Sequence, residues 1–102
     1  MAIKALAKVL RKAANSLHAK DGLRWVVKTS RHFQDRLLER FEERDLDALE
    51  RAIEMAAKKA KPGTERFRYT HPAFGVTVVI SRHGLNLVEL ITCWKQEGVA
   101  HA

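Results

Sequence analysis

Residues 29–40 read TSRHFQDRLLER, and within them His32, Arg36 and Arg40 recur every fourth position. On a helix that spacing makes one ridge. With Phe33 set at zero and about 100° per residue, the ridge runs from about 260° to 340°, while the apolar stripe of Phe33, Leu37, Phe41 and Leu38 covers about 0° to 140°. The ridge therefore borders the buried face. A histidine titrating near neutrality beside two fixed cations is what metal-independent RNA cleavage uses. One group takes the proton of the 2′-hydroxyl, another protonates the leaving oxygen, and cations hold the charged phosphate between them. Arg31 and the free amides after Ser30 add phosphate-binding capacity at the helix start. The competing reading is a solvated helix face, on which these arginines pair with Asp35 and Glu39.

Three further clusters carry the same kind of chemistry. Ser81-Arg82-His83-Gly84 forms a turn in which His83 can serve as acid or base and Arg82 as a phosphate contact, or which is simply a turn. Arg66, Arg68, Tyr69 and His71 precede it; a period of two sends Phe67, Tyr69 and His71 to one face and Arg66, Arg68 and Thr70 to the other, so only one set can face a site. Thr92, expected on the same face as Val88, Leu90 and Trp94, can position a phosphate or be an ordinary β-former. At the N-terminus Lys4, Lys8, Arg11 and Lys12 offer a basic helix face. The five histidines and one cysteine lack metal-ligand spacing, and there is no Gly-rich phosphate loop or nucleophile elbow. No cofactor is expected.

The elements that must position these groups follow from the pattern. Ile3, Leu6, Leu10, Ala13 or Ala14 and Leu17 recur at helical spacing, and Asp21-Gly22 closes that helix. Leu23 to Thr29 reads as a first strand, and Thr29 or Ser30 caps the helix after it. A break near Glu43-Arg44 precedes a second helix, capped by Asp45 or by Asp47 in a D-x-x-E box with Glu50, in which Leu46, Leu49, Ile53, Ala56 and Ala60 face inward before Pro62-Gly63 stops it. Strands are expected at 66–70, 76–81 and 86–94, separated by His71-Pro72, Gly75 and His83-Gly84. The order α-β-α-α-β-β-β predicts an α+β fold in which helices pack on one face of a four-stranded antiparallel sheet. The expected organisation is a basic amphipathic helix over 1–22 and an α+β domain over 23–102.

Charge narrows the partners. The formal charge is +7, and residues 1–28 hold seven Lys or Arg against a single acid, Asp21, while the other 74 hold twelve against eleven. RNA or DNA is the natural partner of so basic a segment. The same segment has the character of a transit peptide or of a helix lying on a membrane surface or partner protein. No apolar run reaches the ~20 residues that span a bilayer. A single cysteine, Cys93, inside an apolar run points to a buried structural thiol and a reducing, cytoplasmic compartment.

The strand leading into Ser30-Arg31-His32-Phe33-Gln34-Asp35-Arg36 and then Leu37-Leu38-Glu39-Arg40, followed by a second helix and a strand meander, resembles the small RelE-like domains of the ribonuclease-toxin superfamily over residues 23–95. The resemblance implies helices on a curved antiparallel sheet whose concave face cuts RNA without metal, through the 2′-hydroxyl. An acidic antitoxin or immunity protein is the partner to look for if the chain is such a toxin. From the residue chemistry, His32, Arg36 and His83 are the catalytic candidates, and Arg31, Arg40, Arg82, Thr92 and Lys95 are the candidate RNA contacts. Family members tend to place lysines, arginines and a tyrosine on the last strands; here the last strand offers Thr92, Trp94 and Lys95, and Tyr69 stands earlier. Relatives of this fold also include binding proteins without nuclease activity. The second reading is therefore a non-catalytic nucleic-acid- or host-protein-binding module, phage or mobile-element in character, whose binding depends most on residues 1–20.

Overall fold

A computed structural model describes residues 3–96. Helix α1 spans Ile3–Asp21 and buries Leu6, Val9, Ala13 and Leu17, with Leu10 half-buried at the margin. It ends as expected at Gly22, whose φ of 75° only glycine adopts readily. Strand β1 is shorter than its pattern, Val26–Thr29. Leu23 and Trp25 are drawn out of the ladder by Asp21, whose carboxylate accepts from the Leu23 amide at 2.9 Å and from the Trp25 indole N–H at 2.9 Å. These bonds hold the Asp21 carboxyl below its usual range, the Leu23 amide first among them, although desolvation works in the opposite direction.

Ser30, not Thr29, caps helix α2, Arg31–Arg40: its Oγ accepts from the Phe33 amide at 3.0 Å. Phe33 and Leu37 are fully buried, whereas Leu38 stays 42% exposed. The break is a single 3₁₀ turn, Glu43–Asp45, and helix α3 follows as Leu46–Lys59. Asp45 holds the N-cap position of α3, as one of the two expectations had it, but its side chain makes no cap bond to that helix. Asp47 lies inside its first turn, so the D-x-x-E box does not form, and the Asp45 carboxylate instead accepts from the Glu42 amide at 2.8 Å. That bond caps the 3₁₀ turn, and α3 grows directly out of it.

Strands β2 (Phe67–Thr70), β3 (Val76–Arg82) and β4 (Leu87–Lys95) form the expected antiparallel meander. The sheet as a whole is mixed, in the order β1-β4-β3-β2, because β1 pairs with β4 in parallel, Val26 opposite Leu87 through Thr29 opposite Leu90. The expected all-antiparallel sheet is thus corrected. Packing explains the difference: α2 lies on β4 and α3 on β3 and β2, so the helices carry the chain across the sheet, and β1 is left at the edge farthest from β2.

One face of the sheet receives all three helices. Val76, Val78, Ile80, Val88, Leu90 and Cys93 join Phe33, Leu37, Leu49 and Ile53 in a single buried cluster. The buried α1 side chains belong to that same cluster. A register shift between Val79 and Ile80 pairs Val79 with Thr92 but Ile80 with Leu90, leaving Ile91 as a β-bulge. The extra residue reverses the alternation of β4. Thr92 and Trp94 therefore face away from Val88 and Leu90, against expectation, while Cys93 and Lys95 turn to the helix side.

Candidate nucleic-acid interface

The expected site residues divide by what already holds them. Arg82, on the helix side, donates to the carbonyl oxygens of Ala60 at 2.7 Å and Leu85 at 2.5 Å, and its guanidinium lies 4.9 Å from the Trp25 ring centroid. It staples the end of α3 and the β3–β4 turn to residues 21–25. Lys95 donates to Asp45 at 2.8 Å and stands over the Phe41 ring at 5.6 Å. Partial burial works to raise the Asp45 pKa, but the bonds from Lys95 and the Glu42 amide outweigh it and hold the carboxyl below its ordinary value. Lys12 reaches Glu50 at 3.7 Å and Asp47 at 3.8 Å. Arg82 and Lys95 are thereby committed to the fold, whereas the long, solvent-exposed contacts of Lys12 add little to stability and only set acids beside its charge.

Lys4 and Lys8 line a groove of about 420 Å³ between α1 and the start of α3, opposite Glu43, Asp47 and Glu50. The basic helix face is thus met by acids of its own chain, while Arg11 is exposed. On α2, Arg31, His32 and Arg40 are exposed and Arg36 is half-buried. Ser30 Oγ donates to the Ile91 carbonyl at 2.7 Å, which seats α2 against the half of β4 that β1 does not reach. Burial pushes the Cys93 thiol up to about 12, opposed by the nearby positive charge of Arg36. Cys93 is thus a protonated core thiol, and Arg36 stands beside the stretch that carries Thr92 and Trp94.

His83 belongs elsewhere. Its backbone bonds to Leu87 at the other end of β4, and its Nε2 lies 3.1 Å from Glu89 Oε1. At ~3.3 Å per strand residue, Leu87 and the Leu90–Ile91 seat of α2 are about 10 Å apart. His32 and His83 do not form one acid–base pair.

The opposite face of the sheet is covered by no helix among the described residues. Its order is set by the register. Lys28 stands beside Glu89, Glu89 beside Ser81, and the Arg66 amide donates to Ser81 Oγ at 3.3 Å. Arg66 holds a φ of 52°, an uncommon conformation for arginine at the entry to β2. In the next row Arg68 and Thr92 flank Val79. Beyond it Trp94 is the partner of Thr77, whose Oγ1 lies 2.7 Å from Thr70 Oγ1, so that Thr77 is polar and satisfied although fully buried. Arg68 lies over the Trp94 ring, 5.0 Å from its centroid. Lys28, Arg66 and Arg68 are exposed and make no ion pair among the described residues.

This face was only partly visible in the sequence. Arg66, Arg68 and Thr92 stood among the candidates, but Lys28 and Trp94 did not. The signal that finds them is register: partners opposite one another across neighbouring strands share a face. Among the described residues there is no cluster of His, Cys, Asp and Glu that could hold a metal ion, and no helix long and apolar enough to cross a membrane. No protein-family model, no characterised protein and no solved structure matches this chain.

Proposed function

We propose that the chain is a small RNA-binding domain that acts in the cytoplasm and takes RNA on the helix-free face of its sheet. The observation that carries the reading is a row of exposed cations without an ion pair among the described residues, Lys28 and Arg66 beside Glu89 and Ser81 at one end and Arg68 over Trp94 at the other, along a sheet face that no described helix covers. Uncommitted cations on a rigid platform neutralise phosphates, and the indole adds apolar surface for a base. The test is fluorescence anisotropy of the full chain with a labelled oligoribonucleotide across a salt series. Replacing Lys28, Arg66 and Arg68 together by Ala should weaken binding at least ~100-fold at moderate salt and lower the salt slope by about two to three. The same change at Lys4, Lys8 and Arg11 should cost far less. Equal losses in the two triple variants would sink this placement.

A second reading, toxin-type endoribonuclease, is favoured by one observation: the His83–Glu89 contact of 3.1 Å beside Lys28 and Ser81 on the same face. A carboxylate that orients an imidazole prepares it as a general base. In that reading His83 takes the 2′-hydroxyl proton, the 2′-oxygen attacks phosphorus, and the 5′-oxygen leaves with a proton from water, without metal. An acidic antitoxin or immunity protein would then cover the cations of this face. Incubating RNA with the full chain and scoring cleaved ends separates the sites. Cleavage lost in His83→Ala places catalysis on the sheet; cleavage lost only in the His32→Ala, Arg36→Ala double variant places it on α2. Absence of cleavage by the wild type leaves the binding module.

A further inference from the structure

We infer that Arg68 and Trp94 form a stacking platform for an unpaired base, so that the ligand of the open face is single-stranded RNA. The inference rests on the RNA-binding reading and names the form of RNA it takes. The layering comes from burial: Trp94 is half-buried and Arg68 exposed, with the guanidinium carbon 5.0 Å from the ring centroid. The indole is therefore the inner layer and the guanidinium the outer one. Its floor is fixed, since Thr77, the register partner of Trp94, is fully buried and bonded to Thr70 at 2.7 Å.

Arg68 is exposed, and its guanidinium makes no ion pair among the described residues. A guanidinium is planar and accepts a base as a third layer, while its N–H groups stay available at the edge for a phosphate or a base oxygen. Contrast Arg82, whose guanidinium is also stacked on an indole but donates to two backbone carbonyls. Bases within a duplex have their faces covered by their neighbours, so only an unpaired one can use the platform. Glu89, the one acid in the row with Lys28, repels phosphate but accepts from a ribose 2′-hydroxyl, which favours RNA over DNA.

The experiment compares a non-self-complementary decaribonucleotide with its blunt duplex and with the DNA decamer, using the full chain. The expected result is binding of the single-stranded RNA at least ~10-fold tighter than of the duplex, with DNA weaker than RNA. Arg68→Lys, which keeps the charge and loses the plane, should remove about tenfold from single-stranded affinity while leaving the salt slope unchanged. Trp94→Leu should do the same, and circular dichroism checks that it is folded. Duplex bound as tightly as the single strand, or single-strand binding unchanged in both variants, overturns the platform while leaving RNA binding on this face intact. Failure of every nucleic acid to bind overturns both.

Discussion

Arg82 and Arg68 lie on neighbouring strands, each over a tryptophan, on opposite faces of one sheet. On the helix side Arg82 is held by two carbonyls, and Lys95, at the other end of the β3–β4 pair, by Asp45. On the open side Arg68 lies over an indole, and neither it nor Lys28 nor Arg66 makes an ion pair among the described residues. The same residue types are structural on one face and available on the other. What separates them is whether the fold has already satisfied their donors, and this decides which positions should respond to mutation in stability and which in binding.

The contrast can be broken most severely at α1. If the basic helix were an appended arm, a chain lacking residues 1–20 would still fold. Because Leu6, Val9, Ala13 and Leu17 belong to the one core, that truncation should abolish cooperative unfolding in a denaturant titration. Leu17→Ala alone should cost about 3 kcal/mol. Next, Arg82→Ala should destabilise by about 1–3 kcal/mol, since it leaves the part-buried Ala60 carbonyl without its donor and uncovers Trp25. Binding per folded molecule should be unchanged, and a loss of affinity without a loss of stability would return Arg82 to the interface.

Asp45→Asn should cost about 1 kcal/mol at neutral pH, because the amide keeps an acceptor for Glu42 but gives up the ion pair with Lys95. The folded pKa of Asp45 lies below the ordinary 3.8. Its contribution is therefore present above that value and is lost as pH falls through the lower, folded one. Unfolding curves of wild type and variant should converge on acidification below about 3.8. Smallest in stability is Lys28→Ala, within ~0.5 kcal/mol of wild type, yet it should lower RNA affinity severalfold and the salt slope by about one. A large stability change there would erase the distinction between the faces.

Much of this architecture was legible as period. Leu6 through Leu17, Phe33 with Leu37, and Leu49 through Ala60 announce three helices, and Ser30 announces a cap. The partner of β1 was not legible, because nothing within Val26–Thr29 names a strand some sixty residues away. The bulge was hidden as well: Leu90-Ile91-Thr92-Cys93 has too little contrast between polar and apolar side chains to betray a lost alternation. Nor does the letter R at position 82 show the two carbonyls that wait for it. The candidate site suffered most, since its membership depends on register and on engagement, which are properties of pairs rather than of positions.

The bulge at Ile91 makes the last stretch of β4 behave like a reading frame. Val79 and Ile80 are consecutive on β3 yet pair with Thr92 and Leu90, so β4 carries one residue more than its ladder needs. Removing Ile91 would leave an ordinary antiparallel pair, with Thr92 and Trp94 still on the open face and Cys93 and Lys95 still under the helices. Removing a residue on either side of it without closing the bulge would instead exchange inside for outside. What the spare residue supplies is a carbonyl for Ser30 Oγ, 2.7 Å away, so one irregular position in the sheet doubles as the anchor of a helix.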